Sequence, residues 1–242
     1  MNHREKFMEL LDTAAQNDSR TKIFNDFLII AATSLANVDK NNSAYKSREK
    51  LFLETVGKYD KKIQSVFVDM TAELALTLED CIGQKVLRDN ILKLDYKFGD
   101  KKPRYQDVLG EIFHKFNLND QKGGQVFTPQ HTGDLMGAVG LTEEIIQSEI
   151  KHNGFIKIRE PCCGSGAITL GALNGLLELG INPNYQSLVI ASDLDERCVL
   201  MSYIQLSLYG IPAIVFQQNA ITDEIYSEKW YTPMFIKLFK SR

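Results

Sequence analysis

Two short strings hold the residue types and spacing from which a binding chemistry can be read. One is Glu160-Pro161-Cys162-Cys163-Gly164-Ser165-Gly166, which follows the apolar run Phe155 to Ile158 and precedes a helical pattern starting near Ala167. Gly164 and Gly166 lack a Cβ, so the backbone there can enter positive φ and approach a ligand closely. A helix starting at Ala167 aims its free amides and the positive end of its dipole at a carboxylate. At the end of the next apolar run, 27 residues beyond Gly166, Asp193 offers a carboxylate that can accept both hydroxyls of a ribose. At the end of a third run, Asn219 presents a carboxamide that can pair with an adenine edge. Turn, acidic strand end and amide strand end, in that order, describe a site for a nucleoside-bearing cofactor. The other string, Gly124-Gln125-Val126-Phe127-Thr128-Pro129, lies just upstream.

Other reactive residue types carry less. Cys162 and Cys163 are adjacent, match no usual metal-ligand spacing, and are expected to pack as small side chains. No metal site is expected. His131 reads as a helix-start residue, and Trp230 as an anchor against the sheet. The four cysteines show no paired framework and the first twenty residues no apolar signal region, which together point to a reducing cytoplasm. The most apolar run, Phe27 to Ala32, is far shorter than the ~18 residues of a spanning helix.

The elements that position these residues fall into two patterns. Before residue 120 the periodicity is helical. Phe7, Leu10, Leu11 and Ala14 share one face of a helix over Arg4–Ala15, and Thr21 is placed to cap an apolar helix from Lys22 to about Ala36. Helices are also expected over Tyr45–Tyr59, Asp60–Leu78, Lys85–Leu94 and Tyr105–Phe116. Beyond Asn117, helical segments Thr132–Gly137 and Glu143–Lys151 lead into strands Phe155–Arg159, Leu188–Ser192 and Ala213–Gln218. Helices Ala167–Leu179 and Glu196–Tyr209 alternate with the strands, closed by Gly180 and Gly210. This alternation predicts a parallel sheet with right-handed crossovers. The expected organisation is an α-helical domain over residues 1–120 and an α/β domain over residues 121–242.

Charge bears on partners. Of the 242 residues, 44% are hydrophobic and 24% charged, as in ordinary globular proteins. Residues 1–120 carry 19 basic and 19 acidic side chains, and residues 121–242 carry 9 and 12, giving a net charge of −3. A stand-alone duplex-DNA binder usually has a basic surplus, so work on DNA would call for a partner subunit.

The strings resemble those of adenine-specific DNA methyltransferases, in particular the modification subunit of type I restriction-modification systems. Glu160 to Gly166 looks like the family's D-P-x-C-G-S-G, and Gly124-Gln125-x-Phe127-Thr128-Pro129 like the segment before its first helix. Asp107-Val108-Leu109-Gly110-Glu111-Ile112-Phe113 resembles the D-x-L-G-x-x-Y helix that ends the family's helical domain. Ala191 to Asp195 and Leu208-Tyr209-Gly210-Ile211 resemble its G-Q-E-I-N … L-L-L-H-G-I stretch. The resemblance covers roughly residues 105–221. It implies a Rossmann-like S-adenosylmethionine-dependent methyltransferase fold with a truncated parallel sheet, and S-adenosylmethionine as cofactor. It further implies that Phe127, Thr128 and Pro129 flank the methionine moiety and that Glu160, Gly164, Ser165 and Gly166 hold its amino-acid end. Asp193 would take the ribose and Asn219, where the family usually has Asp, the adenine.

Methylating an exocyclic adenine amine requires localising a lone pair delocalised into the ring. The family does this with an Asn/Asp-Pro-Pro-Phe/Tyr string after its fourth strand, on a flipped base. That string is absent here. The nearest candidate is Thr232-Pro233-Met234-Phe235, which makes Thr232, Pro233 and Phe235 the catalytic candidates of a degenerate motif. The expectation is a DNA adenine-N6 methyltransferase relative, weak or inactive alone, or else a non-catalytic accessory subunit that binds S-adenosylmethionine. The family's first strand is central, whereas Phe155–Arg159 would here be an edge, covered by Met234–Phe239 or by another chain. A homo-oligomer or hetero-complex is therefore expected.

Overall fold

A computed structural model of the chain describes residues 2–37, 40, 42–82, 104–118, 128–140 and 142–240. Helix α1 (His3–Ala14) opens on a reciprocal cap, in which Asn2 accepts from the Glu5 amide and Glu5 from the Asn2 amide. Helix α2 (Arg20–Ala36) starts earlier than the sequence suggested. Ser19, not Thr21, is its cap: Ser19 has extended backbone and accepts from the Lys22 amide at 3.1 Å. Helices α3 (Tyr45–Val56) and α4 (Lys61–Ile82) follow. The expected helix Lys85–Leu94 lies outside the described residues. Helix α5 (Val108–Lys115) starts three residues later than predicted, because Asp107 accepts from the Gly110 amide at 2.9 Å and takes the cap.

Helices α1 and α4 are joined by charge as well as by packing. The buried Glu73 carboxylate lies 2.7 Å from Lys6 Nζ and 2.6 Å from His3 Nδ1. The Lys6 hydrogen bond first, and then that of His3, hold the carboxyl below its ordinary value of 4.5. A depressed folded-state pKa stabilises above the unfolded value and loses that contribution as pH falls through the folded one. Glu73→Gln is therefore expected to cost stability at neutral pH, with the deficit closing as pH falls below 4.5. Denaturant titrations between pH 2 and 7 check this; a deficit that stays constant with pH would count against the linkage.

The sheet is built from β1 (Ile156–Glu160), β2 (Ser187–Asp193) and β3 (Ala213–Gln217), parallel and in the order β1-β2-β3. Helix α6 (Gln130–Gly140) and helix α7 (Glu143–Asn153) precede β1. Helix α8 (Ala167–Glu178) and the short α9 (Pro183–Gln186) join β1 to β2, and α10 (Glu196–Leu208) joins β2 to β3. Gly180 and Gly210, at φ +74° and +70°, end the two long crossover helices in the left-handed conformation, as predicted. This is a Rossmann-like α/β unit behind a helical region. Buried side chains run as one cluster from Phe7 through Phe113 and Val189 to Trp230, with α2 packed on α10.

Beyond β3 the chain turns back. Strand β4 (Trp230–Tyr231) pairs antiparallel with Ile214 and Val215, a two-residue edge where the sequence read no strand. Trp230 is buried beside Tyr203, under the Arg48 guanidinium at 4.2 Å, so α3 grips this edge. Helical turn α11 (Pro233–Phe235) follows, and Tyr231, Phe235 and Phe239 stack in series at 5.2 and 5.3 Å. Phe239 meets Phe155 at 5.2 Å, so the tail reaches the foot of β1. Among the described residues β1 pairs only with β2, and its Lys157 and Arg159 stand exposed.

Candidate functional site

The Gly-rich turn sits at the C-terminal end of the parallel strands. Gly164 and Gly166 adopt φ of +54° and +113°, values that a side chain would strain. The Cys163 amide donates to Ser192 O at 2.9 Å, which docks the turn on β2. The Gly164 amide donates to Asp193 Oδ2 at 2.8 Å, while Asp193 Oδ1 accepts from the Asp195 amide at 2.9 Å. Glu160 accepts from the Cys162 amide at 3.1 Å. The half-buried Asp193 thus ties the turn to the second strand end, 2.8 Å from one of the amides expected to meet a ligand.

A second helix start lies beside the first. A Cβ on Gly133 would come within 2.4 Å of Ala167 O, one on Gly137 within 2.3 Å of Gly171 O, and one on Gly171 within 2.1 Å of Gly133 O. Backbone therefore packs on backbone along α6 and α8. Residue numbers rise together on the two helices, Gly133 opposite Ala167 and Gly137 opposite Gly171, so they run parallel. Their N-terminal ends consequently share one end of the pair. Thr128 and Pro129 lead one helix, and Gly164, Ser165 and Gly166 lead the other. Two positive dipole ends converge on one region. The i, i+4 spacing of Gly133 and Gly137 was the sequence signal for this contact.

Behind the turn lies a buried polar network that the sequence did not disclose. Asp107 Oδ1 accepts from Gln205 Nε2 at 2.9 Å as well as from the Gly110 amide, and Asp107 Oδ2 accepts from the Ser165 hydroxyl. Gln205 Nε2 also donates to Ser165 O at 2.9 Å, and its Oε1 accepts from the Leu109 amide at 3.1 Å. The Asp107 amide donates to Gln130 Oε1 at 2.9 Å; Gln130 in turn donates to Asp134, which also accepts from Asn174 at 2.8 Å. Burial pushes the Asp107 carboxyl up from its ordinary value, against the opposing hydrogen bonds of Ser165, Gln205 and the Gly110 amide.

The predicted site residues divide. The structure brings together Glu160, Gly164, Gly166 and Asp193, and sets Thr128 and Pro129 at the adjoining helix start; Phe127 lies outside the described residues. Ser165 is fully buried, with its hydroxyl donating to Asp107. Asn219 follows β3 as expected, but its Oδ1 accepts from the Ile221 and Thr222 amides at 2.9 and 3.3 Å, which commits the accepting oxygen to a local turn.

Thr232, Pro233 and Phe235 are not brought to this end. Buried Thr232 Oγ1 accepts from the Ala213 amide at 2.8 Å and donates to Ile211 O at 2.7 Å, at the beginning of β3. Ala213 pairs with Val189, and Asp193 lies four residues farther along β2, ~13 Å at strand rise. Because β4 returns antiparallel, it delivers the Thr-Pro-Met-Phe string to the opposite end of the sheet, where Thr232 caps α11 and Phe235 joins the aromatic stack.

The strand ends carry Glu160, Asp193, Asp195 and Glu196, and the segment after β3 carries Asp223 and Glu224. Arg197 pairs with Asp195 at 2.7 Å. Such a rim repels a pyrophosphate and suits a ligand with cationic groups and a diol, whose carboxylate could face the helix starts. Cys163 is buried as expected, whereas Cys162 is exposed. Burial, followed by Asp193 and Glu160, raises both thiols, which disfavours thiolate chemistry. Among the described residues no group of three or more His, Cys, Asp and Glu could hold a metal ion, and no helix is long and apolar enough to cross a membrane.

No protein-family model matches the sequence, and no curated protein matches it. Among solved structures, the chain is similar to a type I restriction-modification system methyltransferase subunit from Streptococcus thermophilus. The identity is 15% and the TM-score 0.43, over 93% of this chain and 59% of that one. The chain therefore spans less than two thirds of that subunit. It is also similar, at 11% identity and TM-score 0.36, to a Listeria monocytogenes protein described as a class I S-adenosylmethionine-dependent methyltransferase, over 98% of this chain and 68% of the other.

Proposed function

We propose that the chain binds S-adenosylmethionine at the C-terminal ends of β1, β2 and β3. The observation that carries this reading is the convergence of two helix starts, at Pro129–Gln130 and Gly166–Ala167, beside Asp193. The helix starts supply amides for the carboxylate of an amino acid, and Glu160 supplies an anion for its ammonium. Asp193 accepts from a ribose, and the Asn219 carboxamide can donate its N–H to an adenine ring nitrogen. When bound, this cofactor supplies an electrophilic methyl group on a sulfonium. The acidic rim favours a ligand with a sulfonium and an ammonium over a phosphate-bearing dinucleotide.

In the finer reading the chain is a DNA adenine-N6 methyltransferase relative of the type I modification-subunit kind, acting in the cytoplasm with a partner subunit on DNA. The strings around Asp107, Phe127 and Gly164 support it, with residues 1–120 as a helical domain and residues 121–242 as the cofactor domain. A second reading, a non-catalytic accessory subunit, is favoured by the distance of Thr232–Phe235 from the Gly-rich turn.

Calorimetry with S-adenosylmethionine is expected to give one site per chain with micromolar affinity, about −8 kcal/mol; no binding up to millimolar ligand would refute both readings. Incubation with labelled cofactor and adenine-containing DNA then tests the isolated chain: robust turnover refutes the accessory reading, whereas binding without turnover fits both that reading and an enzyme inactive without its partner.

A further inference from the structure

Asp107 is a buried carboxylate in the lead-in to α5, and the binding site proposed above makes no direct use of it. Its two oxygens accept from the Ser165 hydroxyl, Gln205 Nε2 and the Gly110 amide. Ser165 is the central residue of the Gly164-Ser165-Gly166 turn, and Gln205 holds the carbonyl of the same residue at 2.9 Å. Ser165 is thus fixed through its side chain by Asp107, which lies outside the α/β crossovers, and through its backbone by Gln205 on the crossover helix α10. Asp107 also joins the second helix start, because its amide donates to Gln130 Oε1 at 2.9 Å and Gln130 is the first residue of α6. The contact leaves no slack: a Cβ on Gly110 would come within 2.2 Å of Asp107 Oδ2 and 2.3 Å of Ser165 Oγ. One residue therefore orients both helix starts from within the network that roots α5.

We infer that Asp107 is a positioning residue for the cofactor site, setting the amides of the Gly-rich turn and of the α6 start through Ser165, Gln205 and Gln130. The inference rests on the S-adenosylmethionine reading and deepens it. The chemistry required is that of a multiple acceptor. An Asn side chain in the same rotamer keeps Oδ1 for the Gly110 amide and Gln205, and offers its NH₂ to the Ser165 oxygen, whose proton can rotate away. An Ala leaves Gln205 Nε2, the Ser165 hydroxyl and the Gly110 amide without that acceptor, in a buried place.

The test is calorimetric affinity for S-adenosylmethionine in the full chain. Asp107→Ala is expected to weaken binding about ten- to a hundredfold, and Asp107→Asn to stay within about threefold of wild type. Asp107→Leu, which fills nearly the same space without an acceptor, is expected to bind as weakly as Ala, so rescue by Asn and not by Leu reports the acceptors rather than the volume. Folding of each variant is checked by far-UV circular dichroism and its thermal transition. Should Asp107→Ala not fold, Ser165→Ala takes its place, with an expected weakening of at least about threefold. A folded Asp107→Ala, or in its place Ser165→Ala, that binds within twofold of wild type overturns the inference, as does an Asn variant as weak as Ala. Failure of the wild-type chain to bind would instead count against the cofactor reading itself.

Discussion

Gly171→Ala is expected to be the most destabilising single substitution at the site. The added Cβ would stand 2.1 Å from Gly133 O and 2.2 Å from its carbonyl carbon. These are backbone atoms of a packed helix, so no side chain can swing aside, and α6 must move off α8 or unwind. Overpacking of this kind costs about 3 kcal/mol, or a fall in Tm of roughly 6–12 °C for a chain of this size. Since Thr128 and Pro129 lead directly into α6, its displacement would also separate the two helix starts and weaken cofactor binding. Differential scanning calorimetry checks the stability. A Gly171→Ala protein with wild-type Tm would mean that the helices are not in backbone contact.

The largest effect on binding is expected from Asp193→Ala. The carboxylate anchors the Gly164 amide at 2.8 Å and the Asp195 amide at 2.9 Å, and it is the proposed acceptor for the ribose. Its removal loses charge-assisted hydrogen bonds to both turn and ligand, which corresponds to about a hundredfold in affinity. The two roles separate in a cycle with a 2′-deoxy analogue of the cofactor. Wild type should discriminate against the analogue, and Asp193→Ala should bind both forms equally weakly. If the variant keeps the discrimination, the ribose is held by another group and Asp193 acts on the turn alone.

These predictions differ in how visible their residues were. Asp193 and the glycines of the turn were legible because their roles follow from chain order: strand, Gly-rich turn and helix, then an acid at the next strand end. Gly180 and Gly210 were legible for the same local reason. The starts of α2 and α5 were not, because whether Ser19 or Thr21 caps α2, and whether α5 begins at Tyr105 or Val108, depends on which side chain reaches a backbone amide; those of α8 and α10 fall at Ala167 and Glu196 as predicted. The burial of Ser165 was not legible either, because the carboxylate that takes its hydroxyl lies 58 residues upstream.

From the sequence alone come the parallel strands, the crossover helices, the Gly-rich turn and the acid at the end of β2. Each depends on periodicity or on the conformational freedom of one residue, and both are local properties. The tertiary structure alone decided the rest. It set α6 parallel to α8 through Gly133, Gly137 and Gly171, because close helix packing depends on which small residues meet across space. It made Asp107 the common root of both helix starts, because its carboxylate accepts from Ser165 at one and its amide donates to Gln130 at the other. It also carried Thr232-Pro233-Met234-Phe235 to the far end of the sheet, because the direction of β4 is set by pairing with β3 and not by the four residues that follow.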